Sequence, residues 1–514
     1  MKRGRIMEKL LGIGEDLLAG KINIDDLKRE AHQYNLYPES IYKKDGSILF
    51  MVKLKRTRHL VVLGKGVLLD EFEGDYILSN SGKICPLNNF NSKVLRRHFP
   101  FTAPLANRTN KTSIGLGDRL GLASPGHIKL VKEYDVFPIL AQQSIRELNL
   151  TGRDYKEVLD AASWAVFQEN YQSGYGADGD HLKSFSEVKM ALDCGFTMIT
   201  LDCSDFLDSS ANHLKEEELA ERYSMIDKSV RNELEDRYLN KTFLVGEDLD
   251  ITFEELDFMR IVLIYLDAIS FASEIYRELI SQVEKRVDFE VSIDETSFPT
   301  SIPAHFFIAS ELQRNDVKLK TLAPRFLGEF QKGIDYIGDR EAFKENFYQH
   351  FLIAKRFGYK ISVHSGSDKF TIFPLVGDIT QGEFHLKTAG TNWLEAMRVI
   401  AHKDIHLFRE VFAFALDNLE RAKAYYHIDG DPDKLPPLRD IRDEDLVGFL
   451  DNKDARQILH ITYGLILEEK DSSGKYVFKD RIYNLLKDYE NLYDEFLYKH
   501  IGRHLEGLML ERLG

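Results

Sequence analysis

From about residue 108 the chain alternates short apolar runs with long stretches whose apolar positions recur at helical spacing, the pattern of βα units on a parallel sheet. Eight runs are predicted as strands: Ser113 to Gly121, Phe137 to Gln143, Gly174 to His181, Phe196 to Cys203, Phe289 to Glu295, Lys320 to Phe326, Tyr359 to Gly366 and Glu383 to Gly390. Stretches such as YKEVLDAASWAVFQENY, PAHFFIASELQRND and REAFKENFYQHFLIAKRFG between them read as helices. Eight βα units is the number that closes a TIM barrel, so an α/β fold with a (β/α)8 barrel over residues 108–429 is expected. Residues 204–288, between the fourth and fifth strands, are too long for one connection and read as an insertion of charged amphipathic helices, a lid or an oligomer contact.

The flanks are patterned differently. Residues 41–80 hold β-rich runs broken by Asp45-Gly46, Gly64, Gly66 and Gly74-Asp75, which is hairpin punctuation, so 1–107 is expected to be a small α+β domain. Its first twenty residues are basic and then apolar, but acidic residues interrupt them. They read as a short amphipathic helix, neither a signal peptide nor a membrane span. Residues 430–514 begin with a Pro-bearing linker and continue as helices, expected to pack on the barrel or on another subunit.

Composition narrows the class. With 68 Lys+Arg against 83 Asp+Glu and 43% hydrophobic residues, the chain is a core-forming acidic protein of net charge -15. That balance, with no basic stripe beyond Lys53 to Arg58, argues against nucleic-acid binding. Three cysteines, Cys85, Cys194 and Cys203, make no disulfide framework and favour a reducing cytoplasm. Cys194 and Cys203 read as buried small hydrophobes. A homo-oligomer is left open.

In a barrel of this kind the chemistry comes from the C-terminal ends of the strands. Here every predicted strand ends in polar or ionisable residues: Asp118-Arg119, Gln142-Gln143, Asp178 to Lys183, Asp202, Asp294-Glu295, Arg325, His364 to Lys369, and His385 to Lys387. Such groups cost free energy at a barrel end unless they are paired or used. His181, His364 and His385 fall on three strands at one predicted level, and neutral imidazoles converging beside carboxylates suit a divalent transition metal. Taken singly, each also reads as a hydrogen-bonded structural histidine. His402, His406 and His427 fall on predicted helices and read as surface or packing groups.

Asp180 reads as a general base, or else as an N-cap aspartate before the SFSEVKM helix. Alternation along Val291, Ile293 and Glu295 makes Glu295, rather than Asp294, the acid/base partner or a fourth metal ligand, unless it pairs with Arg325. Arg325, Lys387, Lys183 and Lys369 ring the same mouth and suggest an anionic substrate such as a carboxylate. Gln143, Asp118 and Asp202 are expected to bond sugar hydroxyls or support the histidines. No GxGxxG fingerprint, phosphate loop or GxSxG elbow occurs, so nucleotide and serine-hydrolase chemistry is not implied.

The segments GYGADGDHLKS, ITLDCSD, SIDETSFPT, LAPRFLGEFQKGIDY, ISVHSGSDKF and FHLKTAGTNWLEA resemble the tagaturonate/fructuronate epimerase family of bacterial hexuronate catabolism. The likeness runs from GLGDRLGLASPGH to the C-terminal helices, with HSGSDKF and FHLKTAGT its most specific parts. It implies a metal-dependent epimerase of 5-keto-hexuronates, with His181, His364 and His385 as metal ligands, Asp180 as proton acceptor and Glu295 as proton donor. Zn, Mn, Ni and Co all suit such a site. The two sugars differ at the hydroxyl-bearing carbon β to the ketone, whose C–H that ketone does not acidify. Retro-aldol cleavage and re-addition is therefore the expected route. A metal-dependent aldolase or keto-sugar isomerase is the alternative enzyme, and a carbohydrate-binding barrel the alternative without chemistry.

Overall fold

The computed structural model describes residues 2–424, 426 and 428–513. Its centre is a closed parallel barrel of eight strands: β1 (Ser113–Leu116), β2 (Phe137–Ser144), β3 (Gly176–Leu182), β4 (Met198–Asp202), β5 (Asp288–Ser292), β6 (Thr321–Ala323), β7 (Lys360–Val363) and β8 (Phe384–Thr388). β8 pairs with β1, so the sheet closes in chain order. All eight predicted strands are present; six stop short of the predicted polar end because the chain turns outward into the loops, whereas β2 and β3 run one residue beyond it. Apolar residues such as Ile114, Ile199, Leu322 and Ile361 face outward into the helical layer. The barrel axis is unusually polar, with Asp178, Thr200, Glu290, Ser362 and His385 all buried.

The N-terminal part is a five-stranded antiparallel sheet. Its first hairpin joins Tyr42–Lys44 to Ser47–Leu54 through Asp45-Gly46, both at positive φ (49° and 78°), the backbone of a tight two-residue turn. Helix Lys2–Leu18 buries Leu10, Ile13 and Leu17 in a core under one face of the sheet. Trp164 and Phe167 from barrel helix Tyr155–Gln168 cover the other face.

The insertion is not purely helical. Thr242–Val245 and Leu249–Thr252 form an antiparallel hairpin, with Val245, Leu249 and Ile251 buried and Thr242, Leu244, Asp250 and Thr252 outward. Its remainder is helical, ending in Glu255–Glu278, which packs beside Ile302–Arg314 as a barrel helix. The C-terminal helices pack on the barrel: Glu490–Gly507 lies against Ser124–Val131 and Thr391–Lys403, and Lys453–Glu468 lies against Ile145–Thr151. Cys85 and Cys203 are buried, as a small hydrophobe should be, whereas Cys194 is half-buried. Among the described residues no helix is long and apolar enough to cross a membrane.

Candidate active site

A cavity of about 290 Å³ opens at the C-terminal ends of the strands. Asp180, His181, Asp294, Glu295, His364 and Lys387 line one side of it. Strand β3 is responsible for the first two. Between Gly179 and Leu182 its register against β4 slips by one residue, and His181 takes the left-handed conformation at φ 53°. A bulge of this kind re-aims side chains that strict alternation would send to opposite faces. Asp180 and His181 therefore both reach the mouth. The N-cap of the following helix is Ser184, so Asp180 is free of that task.

Strand β5 ends at Ser292, and beyond it alternation no longer holds. Asp294 turns inward, Oδ1 lying 3.1 Å from His364 Nδ1 and accepting from the Ser292 hydroxyl. His181, Asp294 and His364 each offer a ligand atom, all within 4.8 Å of one another, with the two imidazole rings 4.9 Å apart. Glu295 stays exposed at the rim and makes no pair with Arg325, which faces Glu329 at 3.8 Å in an adjoining cleft.

Beneath these groups Lys387 is the hub of a buried network. Its Nζ lies 2.9 Å from Asp178 Oδ2, 2.6 Å from Asp180 Oδ1 and 3.0 Å from Glu290 Oε1, and it donates to Thr200 Oγ1. Glu290 Oε1 is also 2.7 Å from His364 Nε2, and Asp180 Oδ1 is 2.8 Å from His181 Nδ1. Burial would lower the Lys387 ammonium, but the three carboxylates outweigh it and keep it charged. Burial would likewise raise Asp180, yet Lys387 and His181 hold it well below the ordinary carboxylate range. Asp178, wholly buried, is pushed up to about 6 by burial and by Asp180 and Glu290, against the pull of Lys387. Burial disfavours an imidazolium at His364, but Asp294 and Glu290 raise it to about 10. The carboxylates thus demand positive charge between them.

Several groups singled out in the sequence lie elsewhere. His385 sits one interior layer below Lys387, wholly buried, with Nδ1 3.0 Å from Ser113 Oγ and Nε2 without a partner among the described residues. Burial lowers it to about 3, so it is neutral. Asp294 stands in the group with His181 and His364 where His385 was expected. Lys369 is enclosed, its ammonium donating to the carbonyls of Gln331, Ile334 and Ser367. Asp118 accepts from the backbone N–H groups of Leu122, Ala123 and Ser124 and so holds the turn after β1 rather than a ligand. Strand β2 is bulged between Ile139 and Ala141, and Gln142, not the wholly buried Gln143, reaches the cavity. Gly115 makes room for it, since a Cβ there would meet Gln142 Oε1 at 1.7 Å. Lys183 and Asp202 do line the rim, 3.6 Å apart, with Lys183 also bonded to Ser204 and Asp205.

Sequence reasoning passed over Glu290, Arg146, Lys332, Tyr426 and His460. Glu290 had a signal, a lone charge between Phe289 and Val291 inside an apolar run. Tyr426 and His460 come from beyond β8 and had none. His402 and His406 do lie on helices, as expected, and His427 falls outside the described residues. A second acidic-histidine group, Asp368 with His500 and His504, lies in the interior. There His504 accepts from the Asp368 N–H and bonds the His500 carbonyl, so both its nitrogens are spent.

The comparisons agree on one family. The family model for UxaE, tagaturonate epimerase, matches residues 37–508. A curated tagaturonate/fructuronate epimerase of Thermotoga maritima is 41% identical over 478 residues, 92% of this chain and 96% of that protein. Crystal structures of the fructuronate-tagaturonate epimerase UxaE of Cohnella laeviribosi are similar at 48% identity. The native form has a TM-score of 0.92 over 98% of this chain and 100% of that one, and a glycerol complex has 0.92 over 95% and 99%. With a barrel, a polar mouth and this likeness over nearly its whole length, the chain belongs to the tagaturonate epimerase family.

Proposed function

We propose that this chain interconverts tagaturonate and fructuronate by retro-aldol cleavage and re-addition at the carbon β to the ketone. The observation that carries the reading is the grouping of His181, Asp294 and His364 beside Asp180 and Glu295 in one cavity, in a chain of this family. The residues fit a divalent metal: two imidazoles and a carboxylate converge, and the positive charge that Asp294 and Glu290 demand at His364 is one a cation supplies in place of a proton. His181, Asp294 and His364 would hold it, and Zn, Mn, Ni and Co each suit the set. When bound, the ion supplies a Lewis acid to the ketone and its neighbouring hydroxyl.

Asp180 lines the cavity beside His181, and from there it accepts the proton of the β-hydroxyl. The carbon–carbon bond then breaks, its electron pair passing into the enediolate of one fragment and leaving an aldehyde on the other. The aldehyde rotates, the enediolate carbon attacks its opposite face, and the new alkoxide takes a proton from Glu295. Glu295 is exposed and re-equilibrates with solvent, as does Asp180 after product leaves. Lys387 keeps Asp180 and Glu290 fixed throughout.

In this reading residues 108–429 carry the chemistry, 1–107 buttress the barrel and 430–514 close the cavity. Three cysteines unpaired in the structure support a cytoplasmic setting. The test is turnover of tagaturonate by purified protein before and after chelation. Fructuronate formation that is lost on chelation and restored by a divalent metal is expected. Turnover unaffected by thorough chelation, or none with any metal, contradicts it.

A further inference from the structure

The cavity that holds the histidines is also lined by two guanidinium groups with donors unspent. Arg119, after β1, is 4% exposed. Its Nε donates to Glu147 at 2.8 Å and its guanidinium lies 3.9 Å from the Tyr463 ring centroid, while Nη1 has no acceptor among the described residues. Arg146, in the first turn after β2, rests 4.7 Å from the Tyr426 ring centroid and makes no ion pair or side-chain hydrogen bond among the described residues. Both line the cavity, and the same three groups, Glu147, Tyr426 and Tyr463, act on both. At Arg119 the orphan N–H is buried, which is costly and is expected where a ligand supplies the acceptor, whereas Arg146 is exposed at the cavity's edge with its guanidinium free to meet the same ligand.

The other cations are engaged. Lys387 is surrounded by Asp178, Asp180, Glu290 and Thr200. Lys369 is bound to carbonyls, Lys183 to Ser204 and Asp205, and Lys332 to Ser365. A planar fork is also the donor geometry that suits a carboxylate.

We propose that Arg119 and Arg146 bind the carboxylate of the keto-hexuronate and set the preference for the acid over the neutral ketose. The assignment rests on the epimerase reading. It adds a pivot to it: cleavage between the α- and β-carbons leaves the carboxylate on the aldehyde fragment, which must stay bound while its carbonyl turns.

The experiment compares wild-type protein with Arg146→Gln, Arg146→Lys, Arg119→Lys and Arg325→Gln, each first checked for a wild-type melting profile. Affinity is measured by calorimetry for tagaturonate and for tagatose, which has a hydroxymethyl in place of the carboxylate. Arg146→Gln is expected to weaken tagaturonate about a hundredfold and tagatose less than threefold, and Arg146→Lys to recover about tenfold. If Arg119→Lys folds, it is expected to show the same selective loss; if not, the Arg146 pair decides. Equal loss for both sugars, or a selective loss in Arg325→Gln with none in Arg146→Gln, overturns the proposal. Selective tight binding of tagaturonate by a protein that never turns it over contradicts the epimerase reading while leaving this pocket standing.

Discussion

Asp294 and Glu295 are neighbours, and the choice between them turns on where a strand stops. Alternation pointed to Glu295, but β5 ends at Ser292 and it is Asp294 that meets His364. His385 was misplaced for a related reason: its depth in the barrel depends on the stagger between strands, which periodicity does not contain. Asp294→Ala is therefore expected to lower the bound divalent metal per chain and to reduce kcat/KM by about a hundredfold or more. His385→Gln is expected to leave metal content near wild type. Elemental analysis of the two variants decides, and metal lost from the second but not the first would reverse the assignment. Lys369 follows a strand end, which predicts a rim cation, because the sequence gives no sign that its side chain folds back. Its three carbonyl partners imply that Lys369→Met lowers stability by about 2–4 kcal/mol, seen as an earlier melting transition.

The strands themselves were legible because each is a short apolar run bounded by polar loops, and βα alternation left one natural closure. What escaped were departures from regularity. The bulges in β2 and β3 decide which of two adjacent residues reaches the cavity, and the hairpin at 242–252 lay hidden among charged helices. Close approaches of backbone to side chain were equally invisible. A Cβ on Gly390 would meet His460 Nε2 at 1.6 Å, so this glycine is what lets the C-terminal helix seat its histidine at the cavity. Gly390→Ala is expected to displace His460 and lower kcat/KM about tenfold or more, at a stability cost of about 1–3 kcal/mol. An unchanged kcat/KM would show that His460 has no part in the site.

At the scale of the molecule the C-terminal extension is part of the catalytic unit. Asp368, in the loop after β7, pairs with Arg456 at 2.9 Å and His500 at 2.9 Å, tying two of its helices to the barrel mouth. Burial would raise the Asp368 carboxyl, but His500 and Arg456 outweigh it and hold it well below the ordinary range. A carboxyl depressed in the fold contributes fully above its unfolded value of about 4 and loses that contribution as pH falls through the folded value. The extension should therefore stay docked from neutral pH down to about pH 4 and loosen only below it, by hydrogen exchange of residues 453–468. Asp368→Asn, which leaves Arg456 buried without its partner charge, is expected to cost about 3–5 kcal/mol. Tagaturonate turnover in D2O, with the fructuronate isolated and deuterium at the β-carbon determined by NMR, tests the cleavage route most directly. Cleavage and re-addition predict fructuronate whose β-carbon keeps its original hydrogen. Solvent deuterium at that carbon, or no fructuronate from the metal-loaded protein, would contradict it.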